Sequence, residues 1–197
     1  MANEIVIPLI SAGAGLLGVL VGGVVATWNQ KRERQQRFLS EQLSEFYGPM
    51  IAMRSLARAK AEIRLKIDTA ADKAWNRNVE EARKYGRPDE LEKLSHERFP
   101  LFDKILEYNN FELAEEVIPT YRRMRDLCVS KIHLAGSSTR EHFSALTEFV
   151  EIWDRWLAKS IPPEVVKELQ HSEEKVYPLY DDLADNFERL QQARRKG

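Results

Sequence analysis

The sequence predicts an all-α protein: one N-terminal transmembrane helix followed by a cytoplasmic bundle of five or six helices. Three observations predict it. Residues 5–28, IVIPLISAGAGLLGVLVGGVVATW, form a run of 24 residues without a charge. From Phe38 onward, apolar residues recur at spacings of three, four and seven, the period of a helix with one buried face. Nowhere is there a sustained period-two run of β-branched residues, the mark of strands. A chain of 197 residues has room for one span and one domain of ordinary size. The implied division is 1–30 for the tail and span, 31–48 for a basic juxtamembrane helix, and 49–197 for the helical domain.

The span comes first. As a helix its 24 residues extend about 36 Å, enough to cross a hydrocarbon core of ~30 Å with some tilt. A cleaved export signal would open on basic residues, carry a shorter apolar region and end in a small-residue cleavage site. This chain opens on Met-Ala-Asn-Glu, and its apolar run is too long. Pro8 stands in the first turn, where a missing backbone donor costs little. Trp28 falls where an interfacial aromatic belongs, and Lys31, Arg32, Arg34 and Arg37 follow as the headgroup-facing flank. The positive-inside rule then places the amino terminus outside a bacterial inner membrane and the remainder in the cytoplasm. Charge is distributed accordingly. Residues 1–66 hold nine Lys/Arg and five Asp/Glu, so the basic zone borders the span; the rest of the chain is net acidic.

Within the span, Ala14, Gly18, Gly22 and Ala26 recur every four residues, and Ser11 and Gly15 form a neighbouring small pair. Residues four apart share a helix face, so these positions form a smooth groove. In lipid, close backbone approach rather than a hydrophobic effect draws helices together. Because the chain has a single span, the expected occupant is a second copy; a plain anchor with common membrane glycines is the alternative. A ring of such spans would enclose an aliphatic constriction of the kind that gates by dewetting.

Past the span, a helical face runs from Arg37 to Tyr47, with Gly48-Pro49 expected to kink or break it. Residues 49–85 read as one long helix ending at Gly86-Arg87-Pro88. A shorter helix over 89–108 is interrupted near Pro100. Asn109 with Glu112 resembles a capping box opening the next helix, whose second part runs from Pro119 to His133. Ser138-Thr-Arg-Glu141 is a second capping box, starting a helix to about Ser160. Pro162-Pro163 opens a last helix through Leu190, with a bend expected at Pro178.

No catalytic, metal or cofactor pattern emerges. A helical HEPN-type RNase needs Arg or Asn four to six intervening residues before a His, and His96, His133, His142 and His171 all lack it. A di-iron bundle needs two ExxH elements, but only Glu168-Leu-Gln-His171 occurs. The histidines therefore read as surface or capping residues. Cys128, the sole cysteine, excludes an intramolecular disulfide and fits a reducing compartment. The basic run Arg54, Arg58, Lys60, Arg64 and Lys66 suits headgroups or solvent better than nucleic acid, having no interleaved aromatics. Arg122, Arg123 and Arg125 are expected to pair with Glu115, Glu116 or Asp126. Trp153, Trp156, Tyr177 and Tyr180 read as core.

The block RERQQRFLSEQLSEFYGPMIAMR, residues 32–54, behind a glycine-rich span resembles small bacterial single-span membrane proteins with a helical cytoplasmic domain. The layout is also similar to the accessory membrane proteins of type VI-B CRISPR systems. That resemblance implies a HEPN-like helical fold without nuclease chemistry, assembly into a pore, and a role in antiphage defence. The expectation is a homo-oligomeric, non-enzymatic membrane protein without cofactor. The alternative is a membrane-tethered adaptor that binds a cytoplasmic protein through its helical domain.

Overall fold

In the computed structural model, residues 27–85 and 88–196 are described, and every regular element among them is helical. Helix α1 occupies 27–41 and passes through a π-helical turn, Gln42–Tyr47, directly into α2, Gly48–Tyr85. Helix α3, Pro88–Glu112, passes likewise through a π turn, Leu113–Val117, into α4, Ile118–Ser130. After a 3₁₀ turn, Ile132–Leu134, come α5, Ser137–Glu141, and α6, Phe143–Leu157. Then follow α7, Pro163–Glu168, a second 3₁₀ turn, Glu173–Val176, and α8, Tyr177–Lys196. The all-α expectation holds for these residues. The span residues up to Ala26 lie outside them.

Prolines break fewer helices than the sequence suggests. A proline ring lacks a donor and crowds the carbonyl four residues back. Here the π turn opens the ladder by one residue just ahead of the ring: the Gly48 N–H reaches back to the Leu43 carbonyl before Pro49, and Ile118 N–H to Leu113 before Pro119. The expected interruption at Gly48-Pro49 is thus a widened turn inside continuous helix. The first turn also explains its glycine. A Cβ at Gly48 would lie 2.7 Å from the Leu43 carbonyl oxygen. Pro100 sits inside α3 without ending it.

Three other boundaries differ from the sequence pattern. Asn109 caps nothing; it is buried inside α3, and its Nδ2 donates to Asp68 Oδ1 across the hairpin at 2.7 Å. The helix expected from Ser138 to Ser160 is divided at His142, whose N–H turns back to Thr139. Neither Ser138 nor any other side chain caps α5, and Ser138 Oγ instead accepts from Asn186. The last helix is two helices. It stops after Glu168, Gln170 adopts a left-handed conformation (φ 48°), and Ser172 Oγ caps the 3₁₀ turn by accepting from Glu174 N–H. Pro178 lies in the first turn of α8, where its ring fits.

The core is assembled by α4, α6 and α8 around the start of α2. Met50, Met124, Leu146, Val150, Leu179 and Leu183 are fully enclosed. Each such side chain contributes roughly 1.5–3 kcal/mol by leaving water. The core also takes in Leu43, Phe46 and Tyr47 from the 31–48 segment. Ala57 is the last residue of α2 in this core. The helix has 38 residues, about 57 Å, so most of it projects beyond the bundle, paired with α3 as a two-helix arm.

Candidate functional site

Ser11, Ala14, Gly15, Gly18, Gly22 and Ala26, the expected self-association row, lie outside the described residues. Among the described residues no helix is long and apolar enough to cross a membrane. Lys31, Arg32, Arg34 and Arg37 are all exposed on α1, and the Arg32 guanidinium lies 5.9 Å from the centre of the exposed Trp28 ring. Residues 27–35 touch solvent on every side, so α1 enters the domain as a bare stalk.

Two buried polar networks tie the helices of the bundle together. In the first, the Gly136 N–H donates to Tyr47 Oη at 2.9 Å. Tyr47 Oη lies 3.0 Å from Thr139 Oγ1, which donates to Asp182 Oδ2 at 2.5 Å. The carboxylate can only accept, which orients every proton along this chain. Asn186 Nδ2 closes the network, donating to Thr139 Oγ1 at 3.4 Å and to the Asp182 carbonyl at 3.0 Å. In the second network, Tyr121 Oη donates to Glu173 Oε1 at 2.5 Å and accepts from Tyr180 Oη at 3.2 Å. Burial, above all, pushes both phenols well above their usual range, so they act as neutral donors. Arg54 stacks 4.5 Å from the Tyr180 ring centre and donates to its carbonyl. Beside it, Arg58 and Glu62, paired at 2.8 Å, border with Glu173 and Asp181 a cleft of about 450 Å³.

Of the histidines, His171 departs from expectation. Its ring stacks on Phe149 at 4.9 Å and meets the edge of Trp153 at 5.4 Å. Its buried Nε2 has no hydrogen-bond partner among the described residues. Burial, with Lys175 second, depresses its pKa and keeps the ring neutral. Of the expected arginine pairings, Arg125 with Asp126 is present at 2.9 Å, and the others are redrawn. Arg122 pairs with Asp154 at 2.6 Å, and Arg125 joins Asp126 to Asp154. Arg123 donates to Thr120, while Glu116, with Glu112, binds Lys60 of the basic run. Cys128 is buried and its thiol is pushed up to about 11, which leaves it inert. No group of acidic, histidine or cysteine side chains that could hold a metal occurs among the described residues.

Sequence reasoning missed the arm. Asn109–Asp68 and Lys60–Glu112 fix the register of α2 against α3. Further out, Trp75 meets Phe99 and Phe102 edge-on at 5.8 and 5.5 Å. These rings, with Ile105 and Leu106, floor a groove of about 320 Å³, and Asp68, Asp72 and Asp103 stand at its rim, with no lysine or arginine lining it among the described residues. Phe99 and Leu106 are 52% and 56% exposed. Two helices alone cannot cover the apolar faces of both, and large exposed side chains gathered on one element mark an interaction surface. The signal lay in the sequence as Trp75, Phe99, Phe102 and Leu106, which periodicity assigns to a core that this part of the chain does not have.

No protein-family model, curated protein or solved structure matches the chain. Two surfaces stand out among the described residues: an exposed basic stalk at one end and an apolar, acid-rimmed groove on a projecting arm.

Proposed function

We propose that the chain is a single-span inner-membrane protein that self-associates through Ala14, Gly18, Gly22 and Ala26, with its helical domain in the cytoplasm. The observation that carries this reading is the continuous helix from the basic stalk at 27–37 into the packed core, which couples the amino-terminal segment mechanically to the domain. In this reading the protein gathers spans, as a pore or a membrane-perturbing accessory in antiphage defence, the role its resemblance to the type VI-B accessory proteins suggests. It uses no cofactor and performs no reaction of its own. Membrane fractionation followed by crosslinking tests it: the protein should pellet with membranes, resist carbonate extraction and yield crosslinked multimers. Recovery in the soluble fraction overturns it.

The projecting arm supports a second reading, a membrane-tethered adaptor for a cytoplasmic protein. Replacing residues 5–28 by an unrelated span separates the two. An adaptor keeps its function on the foreign span, whereas a pore built on the small-residue row loses it.

A further inference from the structure

We infer that the groove between α2 and α3 on the distal arm is a docking site for a basic amphipathic helix of a protein partner. The inference deepens the adaptor reading and rests on it. Three observations carry it. The floor is aromatic and aliphatic, with Trp75, Phe99, Phe102 and Leu106 half-buried or exposed and no described residue of this chain placed over them. Among the described residues the rim is of one sign, Asp72 and Asp103 being exposed carboxylates with no cationic side chain lining the groove. The cavity, about 320 Å³, is at the small end for ligand sites and suits the anchoring side chains of a helix turn better than a whole small molecule. Apolar anchors at i, i+3, i+4 and i+7 fit such a floor, and flanking lysines or arginines meet the rim.

The location selects the occupant further. Roughly 65 Å of helix at ~1.5 Å per residue separates Asp72 from Trp28, so a membrane surface at the stalk does not reach the groove. A second copy is disfavoured by charge. Copies anchored in one membrane stand parallel, and pairing this face in parallel would set Asp72 of one copy against Asp103 of the other.

The test uses the full chain in phosphatidylcholine nanodiscs and two fluorescein-labelled helical peptides with the same leucine positions, one otherwise of lysine and one of glutamate. Fluorescence anisotropy should show the lysine peptide binding about tenfold or more tightly than the glutamate peptide, the preference of a rim of one charge sign. Asp72→Asn/Asp103→Asn should weaken the lysine peptide about tenfold and flatten its salt dependence, since two rim ion pairs are involved. Asp68 is left intact because it holds Asn109. Phe99→Ala/Leu106→Ala, both at exposed positions, should abolish binding with helix content unchanged. Equal binding of the two peptides, or equal binding of the lysine peptide by wild type and the Asp72→Asn/Asp103→Asn variant, overturns the proposal. So does a smaller oligomer for Phe99→Ala/Leu106→Ala by native mass spectrometry, which would assign the face to a second copy. Failure of the chain to enter nanodiscs strikes the membrane reading alone, because peptide binding is then read on the protein in solution.

Discussion

Tyr47→Phe removes one oxygen atom from the centre of the bundle, and its cost can be worked from the geometry. The hydroxyl accepts from Gly136 N–H at 2.9 Å and contacts Thr139 Oγ1 at 3.0 Å. Gly136 is the residue preceding α5, and no other acceptor for its N–H is present among the described residues. Leaving that donor unpaired costs about 1–3 kcal/mol. Thr139 keeps its bond to Asp182 and its longer contact from Asn186, so its loss is smaller, about 0.5 kcal/mol. The ring itself still fills its place, 1% exposed, so no cavity term is added. The sum is a loss of about 1.5–3.5 kcal/mol. Urea unfolding of the full chain in mild detergent, followed by far-ultraviolet circular dichroism, should show a lower midpoint and an unchanged slope. Tyr177→Phe, at a half-exposed ring, is the control and should stay within about 0.5 kcal/mol. A Tyr47→Phe variant as stable as this control would refute the claim that the chain from Gly136 to Asp182 holds α5 to the core.

Other outcomes follow from the same structure. Gly48→Ala places a methyl 2.7 Å from the Leu43 carbonyl and should cost about 1–3 kcal/mol in the same assay, a typical penalty for overpacking; a neutral result would mean that the π turn relaxes freely. The depressed pKa of His171 makes stability depend on pH with a defined sign. The unfolded ring, near 6.5, takes a proton that the folded ring resists, so this contribution is complete above about pH 6.5 and is lost as pH falls below it toward the folded value. His171→Gln should flatten the unfolding midpoint between about pH 7 and 5, and an unaltered profile would assign the dependence to other groups. Cys128 should resist a maleimide at pH 8 until the domain is unfolded, since its thiol titrates at about 11; rapid labelling of folded protein would contradict its enclosure.

Much of the helical architecture is legible in the sequence because helices reveal themselves by period. Leu146, Phe149, Val150 and Trp153 mark one face of α6, and the structure packs that face inward. Boundaries were harder, for reasons that are local and specific. Proline reads as an interruption, yet at Pro49 and Pro119 a single widened turn ahead of the ring absorbs it and the helix continues. Asn109 has the composition of a cap but spends its amide on Asp68, forty-one positions away. Arg122 finds Asp154 on α6 instead of an acid on its own helix, because tertiary proximity outweighs sequence proximity. The arm groove escaped notice for a related reason. Periodicity reports an apolar face but not whether a third element covers it, and Trp75 and Phe99 look in sequence like Phe149.

The proposal that spans are drawn together by Ala14, Gly18, Gly22 and Ala26 is tested most directly by native mass spectrometry of the full chain released from detergent, beside the Gly18→Leu/Gly22→Leu variant. The account predicts a defined oligomer for the wild type and a smaller species for the variant. A strictly monomeric wild type, or an oligomer of the same size in both, would contradict it.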